Sequence, residues 1–462
     1  MAGSVAESVA ESVAVRGSKA PSGDAAPGLL ARQGALHLIG AVLDRGAMLD
    51  EAGLRGSPAE RAEARGLADL TLRRLGQIDD LLGRFVGRMP KPPVDHVLRL
   101  MAAELIFAGT APHAAVDLGV RLVKRARGAA KLAGLVNAVG RRLAEQGAEI
   151  ATEIVSAQDA ARLNTPGWLW QQLAADWGAE AARAMALAHL TPAPHDLTPN
   201  DLKLTNPAEA GALARELGAE LLATGSLRLA DRPQISALAG FAEGAWWAQD
   251  AAAALPARLI PGLRGKRVLD LCAAPGGKTM QLAAAGARVT ALDLSAGRMA
   301  RLGENLVRTG LAAECVAADA LEWAPEEAPF DAILLDAPCS ATGTIRRHPD
   351  LPRRRGRGRK GPDLKALTGL QGQLLDRAAG WLAPGGVLVF CTCSLNRAEG
   401  EDQARRFLKR SQRFERLPVE PGEAGIPADF LTPEGDLRTR PDFWAERGGI
   451  DGFFAARFRR KS

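Results

Sequence analysis

The 462-residue sequence predicts an α/β protein built on a mainly parallel, doubly wound sheet, preceded by an all-helical module and a small α+β segment. Three observations carry this expectation. An apolar run, Arg267 to Cys272, ends in a glycine-rich turn, Ala273-Ala274-Pro275-Gly276-Gly277-Lys278, that opens a helix. From that run onward, apolar stretches near Val268, Val289, Cys315, Ala332 to Leu335 and Val387 to Cys391 alternate with helical patterns, as parallel strands joined by crossover helices require. Ahead of it, from about Gly28 to Glu145, apolar residues recur at helical spacing, and Pro90 to Pro93 interrupts the series once.

Taken in order, the chain divides into four parts. Residues 1–27 carry an Ala-Glu-Ser-Val-Ala repeat with Glu7 and Glu11 and no apolar stretch, which predicts a disordered tail rather than a secretory signal. Residues 28–150 form the helical module. The texture changes to mixed helix and short strand over 160–240, beginning near Thr165-Pro166-Gly167-Trp168-Leu169. Residues 241–462 hold the strand-and-helix alternation and all the chemistry.

Bulk properties narrow the function classes. No apolar run is long enough to span a membrane. Five cysteines in so long a chain, without small-domain spacing, predict no disulfide framework and a reduced, cytoplasmic setting. The net charge of +6 is modest, but the basic residues cluster, which points to a polyanionic partner.

Ligand groups in such a sheet gather at the carboxyl ends of its strands, where Asp293, Asp319 and Asp336 fall. Asp293 lies about 20 residues beyond the glycines, the place of a carboxylate that accepts hydrogen bonds from ribose hydroxyls. Asp336-Ala337-Pro338-Cys339-Ser340 closes one strand and Cys391-Thr392-Cys393-Ser394 a later one, so two thiols can face one crevice. Cys391-x-Cys393 lacks the paired spacing of structural zinc, and no metal is expected. Cys315 and Cys391 read as core cysteines.

The glycine turn and the two cysteine segments together resemble the RNA (cytosine-5) methyltransferases, in particular the bacterial ribosomal branch with an N-terminal NusB-like domain. The resemblance extends to Phe241-Ala242-Glu243-Gly244-Ala245-Trp246-Trp247-Ala248-Gln249-Asp250, to Gly343-Thr344-Ile345-Arg346-Arg347-His348-Pro349-Asp350 and to Asp451-Gly452-Phe453-Phe454-Ala455-Ala456. It implies a Rossmann-like catalytic domain with a seven-stranded sheet and S-adenosylmethionine as cofactor. Cys272, Ala273, Ala274, Pro275, Gly276, Gly277, Lys278, Asp293, Asp319 and Asp336 would bind that cofactor. Cys393 would be the nucleophile, and Cys339 would assist removal of the carbon-5 proton and release. The implied partner is RNA, most directly small-subunit ribosomal RNA, and the implied state a monomer.

The chemistry explains the pair. Carbon 5 of cytosine is a poor nucleophile until a thiolate adds to carbon 6, and a second group must then free the enzyme. A free thiol with a pKa near 8.5 is only a few per cent thiolate at neutral pH, so the site must favour its ionisation.

Related enzymes act on transfer RNA with the same segments. A DNA-type enzyme would use the Pro-Cys cysteine as nucleophile, but no Glu-Asn-Val follows Cys339. A non-enzymatic RNA-binding factor resembling antitermination proteins would not need both thiols.

The sequence departs from the family pattern at several places. Ala341 and Cys391 stand where glycine and small residues such as serine are common, and His195-Asp196-Leu197-Thr198-Pro199-Asn200 replaces a Leu-Arg-Val-Asn-like strand. The run Arg353-Arg354-Arg355-Gly356-Arg357-Gly358-Arg359-Lys360-Gly361 suits phosphate contact. Arg32 and the cluster Lys124, Arg125, Arg127 and Lys131 are expected on helix faces open to phosphates.

Overall fold

The computed structural model describes residues 27–49, 53–204, 206–327, 329–354 and 361–462, so the expected tail over 1–26 and most of the arginine-rich run lie outside the described residues. The helical module consists of α1 (Leu29–Arg45), α2 (Pro58–Arg73), α3 (Leu75–Gly83), α4 (Val94–Ile106), α5 (Pro112–Arg125) and α6 (Ala133–Glu145). Ser57 starts α2 with a capping box, exchanging hydrogen bonds with Glu60, and the Pro90–Pro93 break separates α3 from α4. Every residue of α4 from Val94 to Glu104 is buried, which makes it the axis of the bundle.

A helix covered on all sides must satisfy its polar groups internally. Arg99 pairs with Asp79 and Asp95, each at 2.8 Å, and Glu104 accepts from Arg32 at 2.5 Å. Arg32 therefore corrects the sequence reading. It is buried against Glu104, with Glu63 at 2.7 Å on its outer side, and does not offer its charge to phosphates. Lys124, Arg125, Arg127 and Lys131 do lie exposed, at the end of α5 and in the turn beyond it.

The helical module docks directly on the rest of the chain. Arg73, at the end of α2, donates to the carbonyls of His189 and Arg346 at 2.8 and 2.9 Å. The Leu49 amide reaches Asp350, and Asn164 accepts from the amides of Gly76 and Gln77 at the start of α3.

A small antiparallel sheet follows, ordered β2-β3-β1-β4, from β1 (Asp196–Pro199), β2 (Ala219–Leu221), β3 (Leu227–Leu229) and β4 (Trp246–Ala248). Asp196 and Arg228 form a bidentate pair at 2.8 Å across β1 and β3. Asn200, just after β1, is buried and donates to the carbonyls of Gly244 and Thr309, which fastens this sheet to the end of the helix Ala296–Thr309.

The larger sheet runs β10-β12-β9-β8-β5-β6-β7, with β11 (Leu437–Thr439) pairing beside β12 (Phe453–Arg460). The strands β5 (Arg267–Leu271), β6 (Arg288–Asp293), β7 (Glu314–Ala317), β8 (Phe330–Asp336) and β9 (Leu382–Thr392) are mutually parallel, whereas β12 is antiparallel to both β9 and β10 (Phe414–Arg416). Buried residues such as Leu269, Ile333, Leu335 and Phe390 fill one face, and Val268, Leu334 and Val389 the other, so the sheet is covered on both sides. Cys391 is fully buried as expected. Cys315 is exposed, contrary to expectation, because β7 is the outer strand of the sheet and little covers it. Among the described residues no helix is long and apolar enough to cross a membrane.

Replacing Arg32 by Ala strands the buried Glu104 carboxylate, a change that costs about 3–5 kcal/mol. Urea unfolding of Arg32→Ala should therefore show a clearly lower midpoint, while Lys124→Ala on the exposed face should differ from the parent by less than about 0.5 kcal/mol. Equal midpoints for the two variants would contradict the buried role of Arg32.

Candidate active site

Parallel pairing delivers the site. β5 lies between β6 and β8, so the ends of these strands form one rim, to which β7 and β9 add their own ends. After β5 the backbone must turn sharply into the helix Gly277–Ala284. Cys272 sits at φ 61 and Gly276 at φ 104; a Cβ on Gly276 would lie 2.0 Å from a Leu302 methyl, so only glycine fits there. The Asp293 side chain, buried at the end of β6, accepts from the amides of Ala274 and Ser295 at 3.1 and 3.0 Å and thereby fixes the turn. Asp319 follows β7, is exposed, and caps the next turn through the Leu321 amide.

Asp336 closes β8, and Lys278 reaches it at 2.7 Å while lying 4.9 Å over the Phe453 ring. Burial alone would lower the Lys278 pKa, but its acidic neighbours, Asp336 first among them, together more than offset it, and the ammonium is held charged. Beneath this pair lies Asp270, fully buried. Its Oδ2 accepts from Thr279 at 2.6 Å, and its Oδ1 has no partner among the described residues. Burial pushes its carboxyl up to about 7.

The two thiols meet. Cys339 Sγ and Cys393 Sγ are 3.4 Å apart, each a short step beyond the end of its strand. Their loops are stitched together by the Gly343 amide donating to the Cys393 carbonyl and the Ala337 amide to the Cys391 carbonyl, both at 2.9 Å. Gly343 is required for that approach, since a Cβ there would meet the Gly452 carbonyl oxygen at 1.9 Å. Ala341 takes φ 56, the left-handed region that costs a non-glycine residue about 1 kcal/mol, which explains why glycine suits this position and why alanine is tolerated. The hydrogen bond to Cys393, followed by burial, raises the Cys339 pKa well above that of an ordinary thiol. Burial likewise raises Cys272 and Cys391.

A group the sequence did not single out lies behind the thiols. Glu399 is fully buried; its Oε1 accepts from the Ser340 amide and Gln371, and its Oε2 from the hydroxyls of Ser340 and Ser394. The available signal was a serine directly after each of the paired cysteines. Arg347 bridges Asp250 and Asp451, at 2.5 and 2.8 Å, and joins the lead-in segment to the loop before the last strand.

Two cavities flank these groups. One of about 590 Å³ opens beside Cys339 and is lined by Arg45 of α1, Trp168, Leu351, Arg354 and Leu367. The other, about 570 Å³, is lined by Pro275, Gly277, Lys278, Asp336, Trp247 and Arg347. The helical module thus reaches the edge of the thiol site. Arg353 does not belong to this surface: its guanidinium turns inward to the Asn164 carbonyl, a correction to the expectation that it contacts phosphate.

Known proteins match this arrangement. Residues 259–459 match the model of the 16S rRNA methyltransferase RsmB/F family, and residues 30–145 that of the NusB family. The chain is 40% identical over 336 residues to ribosomal RNA small subunit methyltransferase B of Pseudomonas syringae pv. tomato, covering 70% of this chain and 72% of that protein. This chain belongs to the RsmB/F methyltransferase family. The RsmB/F likeness extends into the helical module: the protein of the same name from Xanthomonas campestris pv. campestris is 36% identical over 414 residues, 86% of this chain and 89% of the other. Among solved structures, a methyltransferase homolog protein from Pyrococcus horikoshii superposes with a TM-score of 0.52 at 30% identity, covering 63% of this chain and 93% of its own.

The raised Asp270 value has a measurable consequence. A carboxyl that titrates near 4 when unfolded and near 7 when folded binds its proton more tightly in the folded state, so stability falls as pH rises between those values. Asp270→Asn should lack this fall and gain on the parent by about 1–4 kcal/mol between pH 4 and pH 7, read from denaturant midpoints across that range. An identical pH dependence in parent and variant would contradict the raised, buried carboxyl.

Proposed function

We propose that this chain methylates carbon 5 of a cytosine in RNA, with small-subunit ribosomal RNA as substrate and S-adenosylmethionine as methyl donor. The observation that supports the reading best is the pair of thiols 3.4 Å apart at adjacent parallel strand ends, beside the Lys278–Asp336 pair. The cofactor's chemistry fits the rim. It carries cationic sulfonium and ammonium groups, and the strand ends present Asp270, Asp293, Asp319 and Asp336, one of which has an unpartnered buried oxygen. Asp293 and Asp319 would hold ribose and adenine, and the turn from Cys272 to Lys278 the methionine end. When bound, the cofactor supplies an electrophilic methyl group.

The chain's own residues do the rest. Cys393 Sγ adds as thiolate to carbon 6, and the displaced electron pair makes carbon 5 nucleophilic toward the methyl. Asp336, its charge balanced by Lys278, hydrogen-bonds the base edge. Cys339 begins as a thiol, because the hydrogen bond to Cys393 and burial oppose its ionisation. Once the Cys393 sulfur is a thioether, its charge no longer opposes loss of that proton to solvent, and this is the one proton that the overall reaction releases. Cys339 then takes the carbon-5 proton, the carbon 5–carbon 6 double bond returns, and the Cys393 thiolate departs. The target base must leave any stack for both thiol and methyl donor to reach it. The exposed Lys124, Arg125, Arg127 and Lys131 supply positive charge for the RNA backbone on residues 28–150, which we take as the RNA-docking domain.

The two thiols should fail differently. With RNA and cofactor present, Cys393→Ala should give neither methyl transfer nor a covalent adduct. Cys339→Ala should accumulate an adduct that resists denaturing electrophoresis, because addition proceeds and elimination stalls. Adduct from Cys393→Ala, or none from Cys339→Ala, would overturn the assignment. Mapping the methylated nucleotide in total RNA then decides between ribosomal and transfer RNA.

A further inference from the structure

We infer that Glu399 is a positioning residue for the thiol pair: its buried carboxylate binds Ser340, next to Cys339, and Ser394, next to Cys393, and so fixes the distance between the two sulfurs. The inference rests on the proposed roles of the thiols. Four donors converge on this side chain, from the Ser340 amide at 2.9 Å, the Ser340 hydroxyl at 2.5 Å, the Ser394 hydroxyl at 2.6 Å and Gln371 at 3.1 Å. The two hydroxyls are themselves 3.0 Å apart. Gln371 is held in turn: it donates to the Pro338 carbonyl at 2.9 Å and accepts from Gln403 at 3.2 Å. The network therefore reaches the residue before Cys339 and the residue after it.

Other bonds bring the loops into contact, including the Leu395 amide to the Thr342 hydroxyl and the Gly343 amide to the Cys393 carbonyl, both at 2.9 Å. Glu399 grips the residues adjoining the sulfurs. Burying a carboxylate is expensive even when it is satisfied, and an apolar cluster of similar shape would hold two loops together at less cost. Satisfied buried networks nevertheless define one geometry sharply. That matters here, since proton transfer from carbon 5 needs the Cys339 sulfur placed to within about 1 Å, a misplacement of that size costing on the order of 10²-fold in rate.

The near-isosteric variant Glu399→Gln tests this, because it puts an amide group against Ser340 and Ser394 without opening a cavity. The first readout does not involve turnover: diamide, a diazene oxidant, takes two electrons and two protons from the pair, closes the Cys339–Cys393 bond and leaves as the hydrazine. Peptide mass analysis follows that bond. Glu399→Gln should form it at least tenfold more slowly than the parent, bind S-adenosylmethionine within twofold of the parent, and accumulate RNA adduct as Cys339→Ala does. Parent-like oxidation or absence of the adduct would overturn the inference, as would loss of cofactor binding, which would make Glu399 a residue of the fold. If Cys339→Ala itself traps no adduct, the thiol chemistry is at fault, and the oxidation rate alone judges Glu399.

Discussion

The parallel register of β8 and β9 is the constraint on which the site depends. Asp336 lies opposite Cys391 in that register, so the residues that follow each strand enter the rim side by side. Cys339 and Cys393 then need only short loops to meet, and the hydrogen bonds between those loops keep them there. A one-residue slip of β8 would carry Asp336 away from Lys278 and send each of its side chains to the opposite face of the sheet. Fold and chemistry are thus set by the same ladder of backbone hydrogen bonds, and the core residues Leu334, Leu335, Val389 and Phe390 hold the ladder in place.

The charged groups around this ladder divide the work by depth. Lys278 and Asp336 neutralise each other at the rim. Below them burial raises the Asp270 carboxyl to about 7, and behind the thiols Glu399 accepts from every side. Arg73 of the helical module donates to the Arg346 carbonyl, and Leu49 to Asp350, in the segment that follows Cys339. The helical module therefore supports the segment beside the thiol pair, and its Arg45 lines the cavity beside Cys339.

Sequence patterns revealed what depends on local rules. The glycine turn, the acidic strand ends and the cysteine after each strand were legible because strand periodicity and turn chemistry place them without knowledge of distant partners. Arg32 was misread because its partner Glu104 lies 72 positions away, so a basic residue on an amphipathic helix looked like surface. Cys315 was misread because an outer strand and an inner one share the same short apolar pattern, and only strand order distinguishes them. Glu399 escaped notice for the first of these reasons: it binds Ser340 across 59 positions, and Ser394 just before it gives no local hint of a buried carboxylate.

The account stands on which sulfur attacks the base. RNA carrying 5-fluorocytosine tests this most directly, because fluorine in place of the carbon-5 proton blocks elimination and leaves the attacking residue bound to carbon 6. Digestion of the trapped complex and peptide sequencing by mass spectrometry should place the nucleotide on the peptide containing Cys393. Recovery of the nucleotide on Cys339 would contradict the account.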